Sequence, residues 1–306
     1  MLRVLLATAL CFHSALSASD RFVVDDDAFI GKATAAATAL HKAAKLVNFT
    51  KLREQLSRAH CELQRPEPRK EKLQPPEIFQ LIKDSTVAVA TFYQCTRCKN
   101  WHFDSAAGFV AADGVVSTSE HVVDFEDENM KEGFLVVADS TGTVYPVEEV
   151  LASNESADTC LLRVPGLPLK PLPFNLNARV GERVYCLSHP DGNHWMFTEG
   201  MLSRFFINRE VASDGGKPPR KTDVEPSLYI NITAEFSPGS SGAPVVDDCG
   251  NLVGQVQSIT SSLEEEEAEK GKTVTASYGM PLRFCVSAEE IAKLIKQPGK
   301  KASPAK

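Results

Sequence analysis

No stretch of the 306-residue sequence reaches the ~18–20 consecutive apolar residues that a membrane-crossing helix needs. An excess of positive charge is missing too. Against 33 Lys and Arg stand 40 Asp and Glu, a net charge of −7, which gives no electrostatic case for binding nucleic acid. Paired metal-binding motifs are lacking, since only one C-x-x-C occurs, at Cys95 and Cys98. What remains is a hydrophobic content of 43% and a charged content of 24%, ordinary for a soluble globular protein. The length suffices for one large domain or two medium ones.

The first residues stand apart. Arg3 precedes a short apolar stretch from Val4 to Phe12, and small residues follow at Ser14-Ala15-Leu16-Ser17-Ala18. This is the pattern of a secretory signal peptide over 1–17, so the mature chain is expected to be exported, to the periplasm or the medium. Of eight cysteines, Cys11 falls in that segment, leaving Cys61, Cys95, Cys98, Cys160, Cys186, Cys249 and Cys285. An oxidising compartment makes at least one disulfide plausible, and the odd number leaves at least one thiol over. Cys160 and Cys186 lie in apolar strand-like runs and read as buried, inert thiols.

From 25 to 60 the pattern is helical, Ala-rich and free of proline, and the prolines at 66, 68, 75 and 76 end it. Residues 18–75 therefore read as a helical N-terminal extension with a charged linker. From 85 onward short β-branched runs alternate with turn residues. Runs at 87–93, 108–112, 115–118, 134–137 and 159–164 would be strands of one barrel. A proline-rich connector follows at 166–173. Runs at 183–187, 196–206, 227–232, 243–246, 252–259 and 274–280 would build a second barrel. Ser287 N-caps a last helix to 296, and a basic, disordered tail closes the chain at 298–306. The expected lobes are 76–170 and 171–297. The acidic run 264–267 reads as a solvated loop.

The segment most informative about chemistry is Ser237-Pro238-Gly239-Ser240-Ser241-Gly242-Ala243-Pro244. Glycines flanking a serine permit a tight turn with positive φ, in which the N–H groups of Gly239 and Ser241 converge on one point as an oxyanion hole. A serine hydroxyl needs a base, and His121, just past a strand of small hydroxyl residues, is the best placed of seven histidines. The histidine needs a carboxylate to fix its tautomer, and Asp158 heads the buried run Thr159-Cys160-Leu161-Leu162. Taken singly, each has a structural explanation: a Gly/Ser loop, a satisfied histidine, a strand cap.

Together, His121 in S-T-S-E-H-V-V, Asp158 in A-D-T-C-L-L-R-V and Ser241 in S-P-G-S-S-G-A-P resemble the chymotrypsin-like serine proteases, most closely the HtrA/Deg type. The resemblance covers about residues 76–297, including Tyr278-Gly279-Met280-Pro281 near its end. It implies an all-β fold of two six-stranded antiparallel barrels and a serine endopeptidase acting through an acyl-enzyme. It also implies protein or peptide substrates and no cofactor or metal. By the same resemblance, Gln257-Ser258-Ile259 would pair with the substrate backbone and Phe236 would lie near the base of the S1 site, with Glu235 close by. The sequence ends before a PDZ domain of that family could fit, so peptide capture through one is not expected. Ser240 stands where digestive relatives carry an aspartate, so activation by pairing with a freed N-terminus is not expected either. The rival function is a hydrolytically silent protease fold that binds peptides or acts as a scaffold.

Cys95-Thr96-Arg97-Cys98 followed by Trp101-His102 is a second cluster. A tight turn would bring the cysteines within disulfide reach. The alternatives are a metal site of Cys95, Cys98 and His102, with Cys61 as a distant fourth ligand, and unpaired thiols. Sequons at Asn48, Asn154 and Asn231 matter only in a glycosylating host.

Overall fold

The computed structural model describes residues 21–125, 128–209, 225–260, 263–265, 276–278 and 280–298. The predicted signal peptide and residues 299–306 of the tail lie outside them. Five helices and seventeen strands are assigned within them.

The first lobe is built from β2 (Thr86–Cys95), β3 (Trp101–Ala112), β4 (Val115–Thr118), β5 (Met130–Ala138), β6 (Val144–Pro146), β7 (Glu149–Asn154) and β8 (Thr159–Arg163). They form one antiparallel sheet in the order β6-β5-β2-β3-β4-β8-β7. Its two outermost strands are separated in the chain only by Val147 and Glu148. Val147 N–H donates to Leu135 in β5 (3.4 Å), and Glu148 N–H donates to Arg163 in β8 (3.0 Å). A two-residue corner thus joins the two edge strands, and the lobe is a seven-stranded half-barrel, whereas the second lobe closes fully. β2 is buried on both faces. Val87 and Val89 pack with Val116, Leu135 and Val137 on one face. Ala88, Ala90 and Phe92 on the other face belong to a larger core cluster that also takes in Phe29, Ala33 and Ala37.

The second lobe is a closed six-stranded barrel. Its members are β9 (Arg183–Ser188), β10 (Met196–Asn208), β11 (Ser227–Ile232), β12 (Pro244–Asp247), β13 (Leu252–Thr260) and β16 (Leu282–Ser287). They run β10-β11-β16-β13-β12-β9 around Cys186, Leu202, Ile230, Val245 and Val256. Two expectations change here. Instead of entering the barrel, the run at 274–280 contributes β15 (Ala276–Tyr278), paired with β14 (Leu263–Glu265). The sixth barrel strand is β16, and the final helix, α5 (Ala288–Lys293), starts as expected, capped by Ser287 Oγ accepting from Glu289 N–H (3.3 Å), but ends before 296.

The helical pattern of 25–60 resolves into α1 (Asp26–Lys42) and the short α2 (Phe49–Arg53), followed by β1 (Cys61–Glu62). Asp25 caps α1 by accepting from Ala28 N–H (2.9 Å). Ala44 at positive φ ends it, because a left-handed residue cannot continue the turn. β1 pairs in parallel with β17 (Ile295–Lys296), tying the N-terminal segment to the C-terminal one. The charged linker is held as well: Arg69 N–H donates to Asn251 Oδ1 (2.7 Å) and Leu73 N–H to Asp248 O (2.8 Å). α3 (Pro75–Lys83) follows, its start closed by Glu77 accepting from Gln74 N–H (2.8 Å) and its apolar face buried through Ile78 and Ile82.

Candidate active site

The site forms where β4 of the first lobe and the β12–β13 region of the second come together. β4 ends at Thr118, and His121 follows in α4 (Glu120–Val123). Asp158, 1% exposed and with φ of +48°, occupies the turn before β8. Its Oδ1 accepts from the His121 backbone N–H (2.9 Å) and its Oδ2 lies 2.7 Å from His121 Nδ1. The carboxylate requires Nδ1 to carry a proton, which leaves Nε2 to accept. Ser241 Oγ lies 2.9 Å from that Nε2. Residues 37 and 120 positions away from His121 thus meet on the two sides of one imidazole.

Ser241 is half-buried at the crest of a turn between Gly239 (φ +92°) and Gly242 (φ +87°). A Cβ at Gly242 would lie 2.2 Å from Ala107 O, and one at Gly239 would lie 2.7 Å from His189 O. Both positions therefore demand glycine on steric as well as conformational grounds. Ser241 O accepts from Ala107 N–H (2.9 Å) and Gly242 N–H donates to Val256 O (2.9 Å), pinning the turn to both lobes. Ser240 N–H turns back to Ser237 O (3.1 Å). Among the described residues no backbone carbonyl takes up the N–H of Gly239 or Ser241.

Gln257 is the bulged residue where the β13–β16 register slips between Val256 and Ser258. Ser241 Oγ also approaches its carbonyl (3.5 Å). β12 pairs with β13 only as far as Gln255, and among the described residues no strand covers that edge at Ser258 and Ile259. Phe236 is 5% exposed within the core of the second lobe, and Glu235 is exposed and ion-paired with Arg283 (3.4 Å).

Three features escaped the sequence reading. Gln255, fully buried, crosses between the lobes: its Oε1 accepts from Ser117 Oγ (2.7 Å) and its Nε2 reaches Asp158 O (3.5 Å). Glu120, beside His121, is 9% exposed, and burial together with the charges of Asp158 and Asp124 pushes its carboxyl up to about 8. His194 binds Asp26 of α1 through Nδ1 (2.8 Å) and Ser105 through Nε2 (3.1 Å). Its neighbour His189 accepts from Trp195 N–H at Nδ1 (3.1 Å) and so donates from Nε2 to Val87 O (3.3 Å), while burial lowers its pKa to about 3. A signal existed only for Glu120, an acid adjoining the candidate base. The others depend on partners far away in the chain.

The disulfide expected between Cys95 and Cys98 is not formed. All seven cysteines of the described residues carry thiols. In place of a two-residue hairpin turn, Lys99 adopts positive φ (+62°) and its N–H donates to Cys95 O (3.1 Å), turning Cys98 Sγ toward His102 Nε2 (3.0 Å). Cys160, Cys186 and Cys285 are fully buried, as an inert role requires, and burial pushes the Cys186 thiol up to about 12.

Residues 106–254 match the family described as "Trypsin-like peptidase domain". The chain is 31% identical over 177 residues to the serine protease Rv3671c of Mycobacterium tuberculosis, across 55% of this chain and 38% of that protein. It is 28% identical over 190 residues to a probable periplasmic serine endoprotease, DegP-like, of Ectopseudomonas mendocina, across 61% and 35%. The chain thus spans little more than a third of either relative. The crystal structure of the active form of the Rv3671c protease shares the fold, with a TM-score of 0.50 at 22% identity over 76% of this chain and 90% of that one. The match over 106–254, the two-lobed β architecture and the HtrA/DegP-type relatives agree in kind: over that segment the chain is similar to the trypsin-like peptidases.

Proposed function

We propose that the protein is an exported serine endopeptidase with Ser241 as nucleophile, His121 as general base and Asp158 as the group that orients the imidazole. The observation that carries this reading is the bridging imidazole, 2.7 Å from a buried carboxylate and 2.9 Å from a hydroxyl on the opposite lobe. Ser241 Oγ attacks the peptide carbonyl as His121 Nε2 takes its proton. The N–H groups of Gly239 and Ser241 receive the developing oxyanion, each such donor being worth roughly 3 kcal/mol of barrier. The imidazolium returns the proton to the leaving amine, and a water activated by the same Nε2 releases the acyl group. Asp158 stays ionised and stabilises the imidazolium.

The uncovered edge of β13 at Ser258 and Ile259 suits an extended peptide that adds as a further strand. Phe236 sits in the lobe core rather than at the surface, so it could act on a P1 side chain only from beneath. Export rests on the signal-like N-terminus and on the periplasmic DegP-like relative.

Ser241→Ala is expected to lower peptide hydrolysis by about 10⁶-fold and to abolish labelling by a fluorophosphonate probe. Hydrolysis retained in the purified variant would refute the assignment. A wild type that neither labels nor cleaves denatured protein would support the silent-scaffold alternative.

A further inference from the structure

We propose that Cys95, Cys98 and His102 form a zinc(II) site at the tip of the β2–β3 hairpin, with a fourth coordination position open to solvent. One ligand atom from each residue lies within 4.8 Å of the other two. Tetrahedral zinc, with Zn–S of about 2.3 Å and Zn–N of about 2.0–2.1 Å, sets its ligand atoms roughly 3.5–3.8 Å apart. The 3.0 Å between Cys98 Sγ and His102 Nε2 needs only a small opening to admit the ion.

The surroundings suit thiolates. Arg97 N–H donates to Cys95 Sγ (3.4 Å), the kind of backbone bond that stabilises a sulfur anion. Arg97 and Lys99 bring positive charge to the same five-residue loop, where Lys99 Nζ is held on Thr96 O (2.5 Å). Two thiolates and a neutral imidazole balance the charge of a divalent ion, and binding releases two thiol protons to solvent. The histidine is fixed in advance: its ring stacks on its cross-strand neighbour Tyr93 (centroids 5.2 Å apart, 21° between planes), and Tyr93 donates to Asp104 (3.0 Å). Cys95 is 9% exposed whereas Cys98 is at the surface, so an ion held by both has one side against the sheet and one toward water.

The other compact donor group, Asp247, Asp248 and Cys249, is a poorer match because its carboxylates are engaged. Asp247 accepts from Cys249 and Asn251 N–H (both 2.9 Å), and Asp248 pairs with Lys72 (2.6 Å). The proposed ion would brace the end of β3, the strand that also carries Ala107 to the carbonyl of Ser241.

The test uses the full chain purified with a reductant and without chelator, analysed for zinc by plasma mass spectrometry and titrated with cobalt(II) after metal removal. One equivalent of zinc per chain is expected, together with a thiolate-to-cobalt charge-transfer band. Cys98→Ser and His102→Gln alter surface or half-buried positions and should fold, as circular dichroism would verify. Each should weaken zinc binding by more than the roughly 10–100-fold typical of disturbing an outer-shell partner. The proposal is overturned by substoichiometric zinc in the reduced protein, or by binding that both variants leave unchanged. It is equally overturned if peptide mapping finds a Cys95–Cys98 disulfide that forms in the presence of excess zinc. None of these readouts depends on proteolysis.

Discussion

Glu120 shares a four-residue helix with His121 and is almost wholly buried, an expensive position for a carboxylate. Its carboxyl, raised from 4.5 to about 8, stays protonated in the fold at pH values where the unfolded chain has already ionised. Between those values the folded state holds the extra proton, so stability falls as pH rises, and the loss is complete above about 8. The whole effect is on the order of a few kcal/mol. Glu120→Gln should remove this slope: calorimetric Tm values of variant and wild type should nearly coincide at pH 5 and separate by pH 8.5, with the variant higher. Parallel curves would sink the idea. Residue by residue, the sequence pointed to those groups whose proposed chemistry has a local texture. His121, Asp158 and Ser241 each sit beside a recognisable strand end or glycine turn. Gln255 and His194 carry no such mark, because their roles come from partners more than eighty positions away.

Among the elements, α1 departs furthest from what its composition suggests. Its buried stripe is Phe29, Ala33 and Ala37, too weakly apolar to announce a core contact, yet Phe29 packs edge-on against Trp195 (4.8 Å) and Asp26 ties the helix to His194. A chain beginning at Pro75 is therefore expected to lose stability and probe labelling rather than gain activity. A lid over the cleft would produce the opposite. Phe29→Ala alone should cost about 3–5 kcal/mol in urea denaturation, the usual penalty for emptying an aromatic site. Most strands were legible from β-branched runs between turns. β6 and β7 were not, being split by a corner, and β16 was hidden because its run leads straight into the Ser287 cap of α5.

For the molecule as a whole, the proposed base and nucleophile belong to different lobes, so activity depends on how the seam between them is held. Gln255 crosses that seam with no exposure to water, bonded to Ser117 on β4 and to the carbonyl of Asp158. Gln255→Leu keeps the volume but leaves a buried hydroxyl and a buried carbonyl short of a partner, at a cost of about 1–3 kcal/mol. Adding Ser117→Ala removes the orphaned hydroxyl, so the double variant should regain part of that stability, a non-additivity that urea denaturation of the four proteins would measure. Catalysis should not follow the same course. The contact to Asp158 remains broken in both Gln255 variants, so kcat/KM should stay depressed, about tenfold if 1.4 kcal/mol of transition-state stabilisation is lost. Recovery of stability without recovery of rate separates filling the seam from aligning the groups across it. Additive stabilities, or rates that recover together with them, would mean that Gln255 merely packs.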